Sequence, residues 1–146
     1  MTIAVIRIRG LINVEKTIKD TLMMLRLETK HSCVLLPEAP VYIGMVNKVK
    51  DYVTFGKVSD DTIKLLMSKR LKRKDKKKVT PDLIERVTKL IKEGKLLKDD
   101  VDVVPIFVLN PPKKGFEKEG IKKTYVQGGA LGKRDNIDNL IKRMVD

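Results

Sequence analysis

Across the first 58 residues the spacing of apolar side chains switches repeatedly between a period of two and a period near 3.6, and this alternation constrains the fold most tightly. "IAVIRIRG" at 3–10 is β-branched, sets Ile6 and Ile8 against Arg7 and Arg9, and stops at Gly10. It predicts a strand with one basic face at its far end. Asn13 is a good N-cap, and Val14, Ile18, Leu22 and Leu25 then recur at helical spacing over roughly 13 residues. "CVLL" at 33–36, closed by Pro37, predicts a short strand. Pro40 opens a second helix with Val41, Tyr42, Met45, Val46 and Val49 on one side, and "YVTFGKV" at 52–58 reads as a third strand. Strand, helix, strand, helix, strand predicts a small sheet with both helices on one face, and leaves the strand directions open.

The rest of the chain reads as mainly helical. Ser59 or Asp60 caps a helix at about 60–69 carrying Ile63, Leu66 and Met67, which runs into a basic stretch at 70–78. Thr80 and Pro81 start a helix over 81–93 with Leu83, Ile84, Val87, Leu90 and Ile91 on its apolar face, stopped by Gly94. "VPIFVLNPP" at 104–112 predicts one further buried strand ended by two prolines. Residues 113–134 hold five glycines among seven basic residues, which predicts a long loop or hairpin that orders on binding. Asp135 caps a last helix over 135–145 with Ile137, Leu140, Ile141 and Met144 inward. The expected fold class is therefore α+β, with a core at 1–58 and an extension at 59–146 packed on it.

Charge is segregated in the same way. The formal net charge is +13, and residues 70–78 ("RLKRKDKKK") and 110–134 together carry +11 of it. Such segregation predicts two basic extensions on a near-neutral scaffold, suited to a polyanion. In the first, Arg70, Lys72, Arg73, Lys74, Lys76, Lys77 and Lys78 are candidates for sequence-blind phosphate contacts, because lysine acts as a point charge. In the second, Lys113, Lys114, Lys122, Lys123, Lys133 and Arg134 are candidates, with Phe116 and Tyr125 placed to stack on bases. A solvated linker is the bland alternative for 70–78, and a flexible turn for "GGALGKR" at 128–134. A free-standing DNA-compacting protein is the alternative partner class, since charge alone does not separate the two polymers.

Other classes find no support. Apolar runs such as "VVPIFVL" at 103–109 are far shorter than a membrane span, and the start lacks the apolar centre of a secretory signal. The lone Cys33 cannot form an internal disulfide, which suits a reducing, cytoplasmic compartment. His31 and Cys33 have no further His or Cys to complete a metal site. "GGALGKR" has Gln127 and Arg134 where a phosphate-cradling loop needs Gly and Ser or Thr. A phosphate-ester enzyme using Asp99 and Asp102 with a metal is a third class and predicts divalent-dependent turnover, but the acidic pairs Asp60–Asp61 and Asp99–Asp100 fall where helix caps or solvated turns are expected. No enzyme, cofactor or small-molecule substrate is expected.

Several stretches carry a wider likeness. "VIRIRG" at 5–10, "LRL" at 25–27, "HSCVLL" at 31–36, "NKVKDYVTFG" at 47–56 and "PIFVLNPPKKGF…GGALGKRDNIDNLIKRM" at 105–144 resemble, in order, the large-subunit ribosomal protein L thirty family. The likeness is to its long archaeal form, related to eukaryotic ribosomal protein L seven. It implies a ferredoxin-like core in 1–58, an archaeal and eukaryotic extension in 59–146, and a non-enzymatic ribosomal role. Implied partners are large-subunit rRNA and neighbouring large-subunit proteins, with one copy per ribosome. By the same resemblance Arg7, Arg9, Arg26 and His31 lie near RNA, and Lys113, Lys114, Lys133 and Arg134 belong to the basic loop of the long form. Ile43 stands where that family pattern has a basic residue, and Lys113 and Lys114 replace an Arg-Gly pair.

Overall fold

The computed structural model describes residues 2–9, 14–27, 29–70, 78, 80–93, 106–110, 112, 129, 131–134 and 137–145. The first part runs β1 (Thr2–Arg7), α1 (Lys16–Met24), β2 (Ser32–Pro37), α2 (Pro40–Lys48) and β3 (Val53–Lys57), in the order the periodicity predicts. The extension adds α3 (Asp60–Arg70), α4 (Pro81–Lys92), β4 (Phe107–Val108), β5 (Gly132–Lys133) and α5 (Ile137–Met144). The five strands form one sheet in the order β4-β2-β1-β3-β5. β1 is antiparallel to β2 and β3, β2 is antiparallel to β4, and β3 is parallel to β5. That settles the directions which spacing left open.

The sheet is covered on both faces. Ile3 and Val5 of β1, with Val34 and Leu36 of β2, pack against Leu22 of α1, Leu25 at its C-cap and Val46 of α2. Both early helices thus share one face, as expected. Ala4, Ile6, Cys33 and Leu35 point the other way and meet Leu66 and Met67 of α3, Val87 of α4, and Leu140 and Ile141 of α5. The extension therefore supplies the second helical layer, and burying one aliphatic side chain such as Ile6 contributes about 2 kcal/mol. Cys33 lies within this layer, where burial pushes its thiol pKa up to about 12.

Three expectations need correction. α1 spans nine residues rather than about thirteen, because Glu15, at ψ 143, is not yet helical and Leu25 is already the C-cap. The extension contributes two strands, not one: Gly132 and Lys133, expected in a long loop or hairpin, pair with Thr54 and Phe55. Gly132 has φ +78, which a glycine adopts at no steric cost. The run starting at Arg70 also begins inside α3 rather than after it. Caps expected at Asn13 and Asp135 and the stop at Gly94 lie outside the described residues. Thr80 does cap α4, its hydroxyl accepting from the Leu83 amide at 3.3 Å.

Candidate nucleic-acid interface

The register fixes which basic residues share a place. Arg7 pairs with Val53, and the Arg7 carbonyl accepts the His31 amide at 2.8 Å, so the end of β1 meets the starts of β2 and β3. The His31 carbonyl in turn accepts the Leu109 amide at 3.1 Å, which brings the end of β4 there too. Arg9, Arg26, Lys30, His31 and Tyr52 all sit on the turns at this end of the sheet.

Arg7 is not a surface residue. It is 1% exposed, and it donates from Nε to the Arg9 carbonyl at 2.9 Å and from Nη1 to the Leu27 carbonyl at 2.8 Å. Burial lowers its pKa, and the two carbonyl acceptors are what hold a charged group there. The basic face expected at the end of β1 thus reduces to Arg9. The Arg9 guanidinium carbon lies 5.3 Å from the centre of the Tyr52 ring, a cation–π contact that steadies it while leaving it half-exposed.

Arg26 closes α1. Its φ is +63, its amide donates to the Met23 carbonyl at 3.0 Å, and the next amide, of Leu27, reaches back to Leu22 at 2.8 Å. Buried Leu22 and Leu27 share the core of that face. This is a Schellman ending, whose left-handed position glycine usually fills. An exposed arginine there bears strain of about 1 kcal/mol. His31 is likewise left-handed, at φ +64, and half-buried. Burial lowers its pKa first, and the charge on Lys30 lowers it further.

Both basic segments depart from this same end. Arg70 donates from Nε to the Val145 carbonyl at 2.9 Å, and Nη1 lies 3.4 Å from the Val108 carbonyl, beside Ser32 in the sheet. Arg70, the first residue of that segment, is thereby fixed at this end. The second leaves beyond Asn110, whose amide donates to the Met144 carbonyl at 3.0 Å. It rejoins at Leu131 and Gly132, next to Thr54, whose hydroxyl donates to the Gly132 carbonyl at 3.0 Å. The segment therefore starts from one edge of the sheet and returns at the other.

Of the remaining candidates, Lys78 is exposed just ahead of α4, Lys133 is exposed on β5, and Arg134 is buried, its amide donating to the Phe55 carbonyl at 2.9 Å. Gly56 accommodates that approach, since a Cβ there would lie 2.5 Å from the Arg134 carbonyl oxygen. Lys72, Arg73, Lys74, Lys76, Lys77, Lys113, Lys114, Lys122 and Lys123, with Phe116 and Tyr125, lie outside the described residues. Tyr52 and Lys30 were not expected at the site. Only the pairing of β1 with β3 brings Tyr52 to Arg9, whereas Lys30 was readable from its place beside His31. Among the described residues no group of metal-ligating side chains occurs, and no helix is long and apolar enough to cross a membrane.

The family described as ribosomal protein L30p/L7e matches residues 3–53. The large ribosomal subunit protein uL30 of Methanococcus maripaludis is 39% identical over 154 residues, covering 99% of this chain and all of the relative. That of Methanosphaera stadtmanae is 42% identical over 153 residues, covering 97% and 99%. That of Nanoarchaeum equitans is 38% identical over 151 residues, covering 97% of each. With such relatives matched over nearly its whole length, the chain belongs to the ribosomal protein L30p/L7e family.

Proposed function

We propose that the chain is a structural, non-enzymatic component of the large ribosomal subunit, binding large-subunit rRNA at the Arg9 end of its sheet. The observation that carries this reading is convergence: Arg9, Arg26 and Lys30 share one end with the departure points of both basic segments. Arg9, steadied on Tyr52, and Arg26, held out on a strained turn, meet phosphates directly. Arg7 and Arg70 act one step back by fixing backbone carbonyls. Lysines of the two segments neutralise phosphates as the RNA folds around them, with no need to read bases. Its other partners are neighbouring large-subunit proteins, and its compartment is that of the ribosome.

The test is sedimentation at increasing salt. The protein travels with large subunits at moderate salt, and if roughly six phosphates are neutralised, log affinity for rRNA falls with log salt at a slope of about −4 to −5. A nearly flat salt response, or recovery of the protein on chromosomal DNA instead, would overturn the reading.

A further inference from the structure

A second feature of the fold adjoins the Arg9 end on the α2 face of the sheet. On the α2 side of the sheet, between α2, β3 and β5, is a groove of about 290 Å³. It sits toward the Ile3 end of β1, since Lys57 pairs with Ile3 and Phe55 with Lys133. Its far corner at Lys57 is about 13 Å along β3 from Val53, while Lys50 lies two residues before Tyr52 and Lys133 belongs to the second basic segment, so the groove adjoins the interface described above. Its floor is apolar, formed by Ile3, Ile43 and the half-exposed ring of Phe55. Its rim is cationic, with exposed Lys50, Lys57 and Lys133.

We infer that this groove takes a single unstacked nucleotide of the rRNA, its base on Phe55 and its phosphate among the three lysines. The inference rests on the rRNA reading above and adds a site to it. Charge complementarity selects the occupant: the opposing acid at the rim is Glu38, which lies 3.5 Å from the ammonium of Lys57. Lys50 and Lys133 leave the rim net positive even after that pair is set aside. An aromatic floor under a cationic rim suits a base and its phosphate, because every base has a face to stack. At this volume the groove holds one base and not a run of them. Asn47 stands at the rim with an amide that both donates and accepts, the functionality that a base edge presents.

Ultraviolet cross-linking of the full chain bound to deproteinised large-subunit rRNA, with adducts mapped by mass spectrometry, tests this. The expected result is a nucleotide adduct on the peptide containing Phe55. Lys50→Glu, at an exposed position outside both basic segments, is expected to cut that adduct several-fold. Adducts at the Arg9 end would stay, showing that the complex still forms. Phe55→Leu, which keeps the floor apolar, is expected to abolish the Phe55 adduct alone. Adducts confined to the Arg9 end in the wild-type complex would overturn the groove inference and leave the rRNA reading intact. In assembled subunits, lysines at the rim shielded from acetylation with no adduct at Phe55 would make the occupant a protein segment, and also overturn it. Failure to form any complex with rRNA would remove both.

Discussion

The Nη1 of Arg7, on the central strand, donates to the carbonyl of Leu27, the residue that completes the Schellman ending of α1, at 2.8 Å. A guanidinium inside the fold thus holds the turn that displays Arg26 outside it. Arg7→Met keeps an apolar stem but leaves the Leu27 and Arg9 carbonyls without that donor. We expect a loss of about 2–4 kcal/mol in urea unfolding, and faster hydrogen exchange at the Leu27 amide than at β1 amides. Unchanged stability would show that the two hydrogen bonds are not needed.

Arg26→Gly separates stability from binding at that turn. Glycine is at ease at φ +63, so folding stability is expected to stay level or rise by up to about 1 kcal/mol, offset in part by unfolded-state entropy. Binding is expected to weaken, with the salt slope shallower by about 0.7–0.9 if one phosphate contact is lost. Denaturant melts and a salt titration on the same preparation check both halves. Reduced stability with unchanged binding would make Arg26 a packing residue only.

His31 offers a pH test, because it is the sole histidine and gives one imidazole resonance to follow by NMR. Its folded pKa is lowered, by burial first and Lys30 second. The unfolded chain therefore binds the proton more readily. The resulting stabilisation is complete above the unfolded value, near 6.5, and is lost as pH falls through the folded pKa. Lys30→Gln is expected to move the resonance midpoint upward without carrying it to the unfolded value, since burial remains.

Cys33 sets the alkaline limit. With its folded pKa near 12, the neutral thiol is retained in the fold while the unfolded chain ionises from about pH 8.5–9. Stability attributable to this group is intact below that range and declines toward pH 12 by at most about 1.4 kcal/mol per pH unit. The difference in slope between wild type and Cys33→Ala, measured by unfolding at several alkaline pH values, isolates it from lysine and tyrosine ionisation. Alkylation of the thiol at pH 8 is expected only on unfolding.

How much of this was legible follows from which contacts are local. "IAVIRIRG" located β1 and put Arg7 on the same side as Arg9, but an alternating pattern cannot say that both sheet faces are covered. Ala4 and Ile6 are buried because helices more than 50 residues downstream lie over them. Arg7 is buried because Leu27 presents a carbonyl to it across the chain. Caps, by contrast, are local, and Thr80 was readable from its place before Pro81. β5 escaped notice because two residues carry no period, and Gly132 reads as a turn until Thr54 is placed beside it. The charge segregation was legible in full, and its convergence at one end of the sheet was not, since convergence depends on where Arg70, Asn110 and Leu131 pack.

That convergence is most directly tested by salt titration of rRNA binding with Arg9, Arg26 and Lys30 changed together to glutamine. The three lie on turns at the sheet end, with both basic segments left intact. If the end of the sheet faces the RNA, affinity falls and the slope of log affinity against log salt becomes shallower by about 2–3. An unchanged slope with unchanged affinity would show that the RNA lies elsewhere.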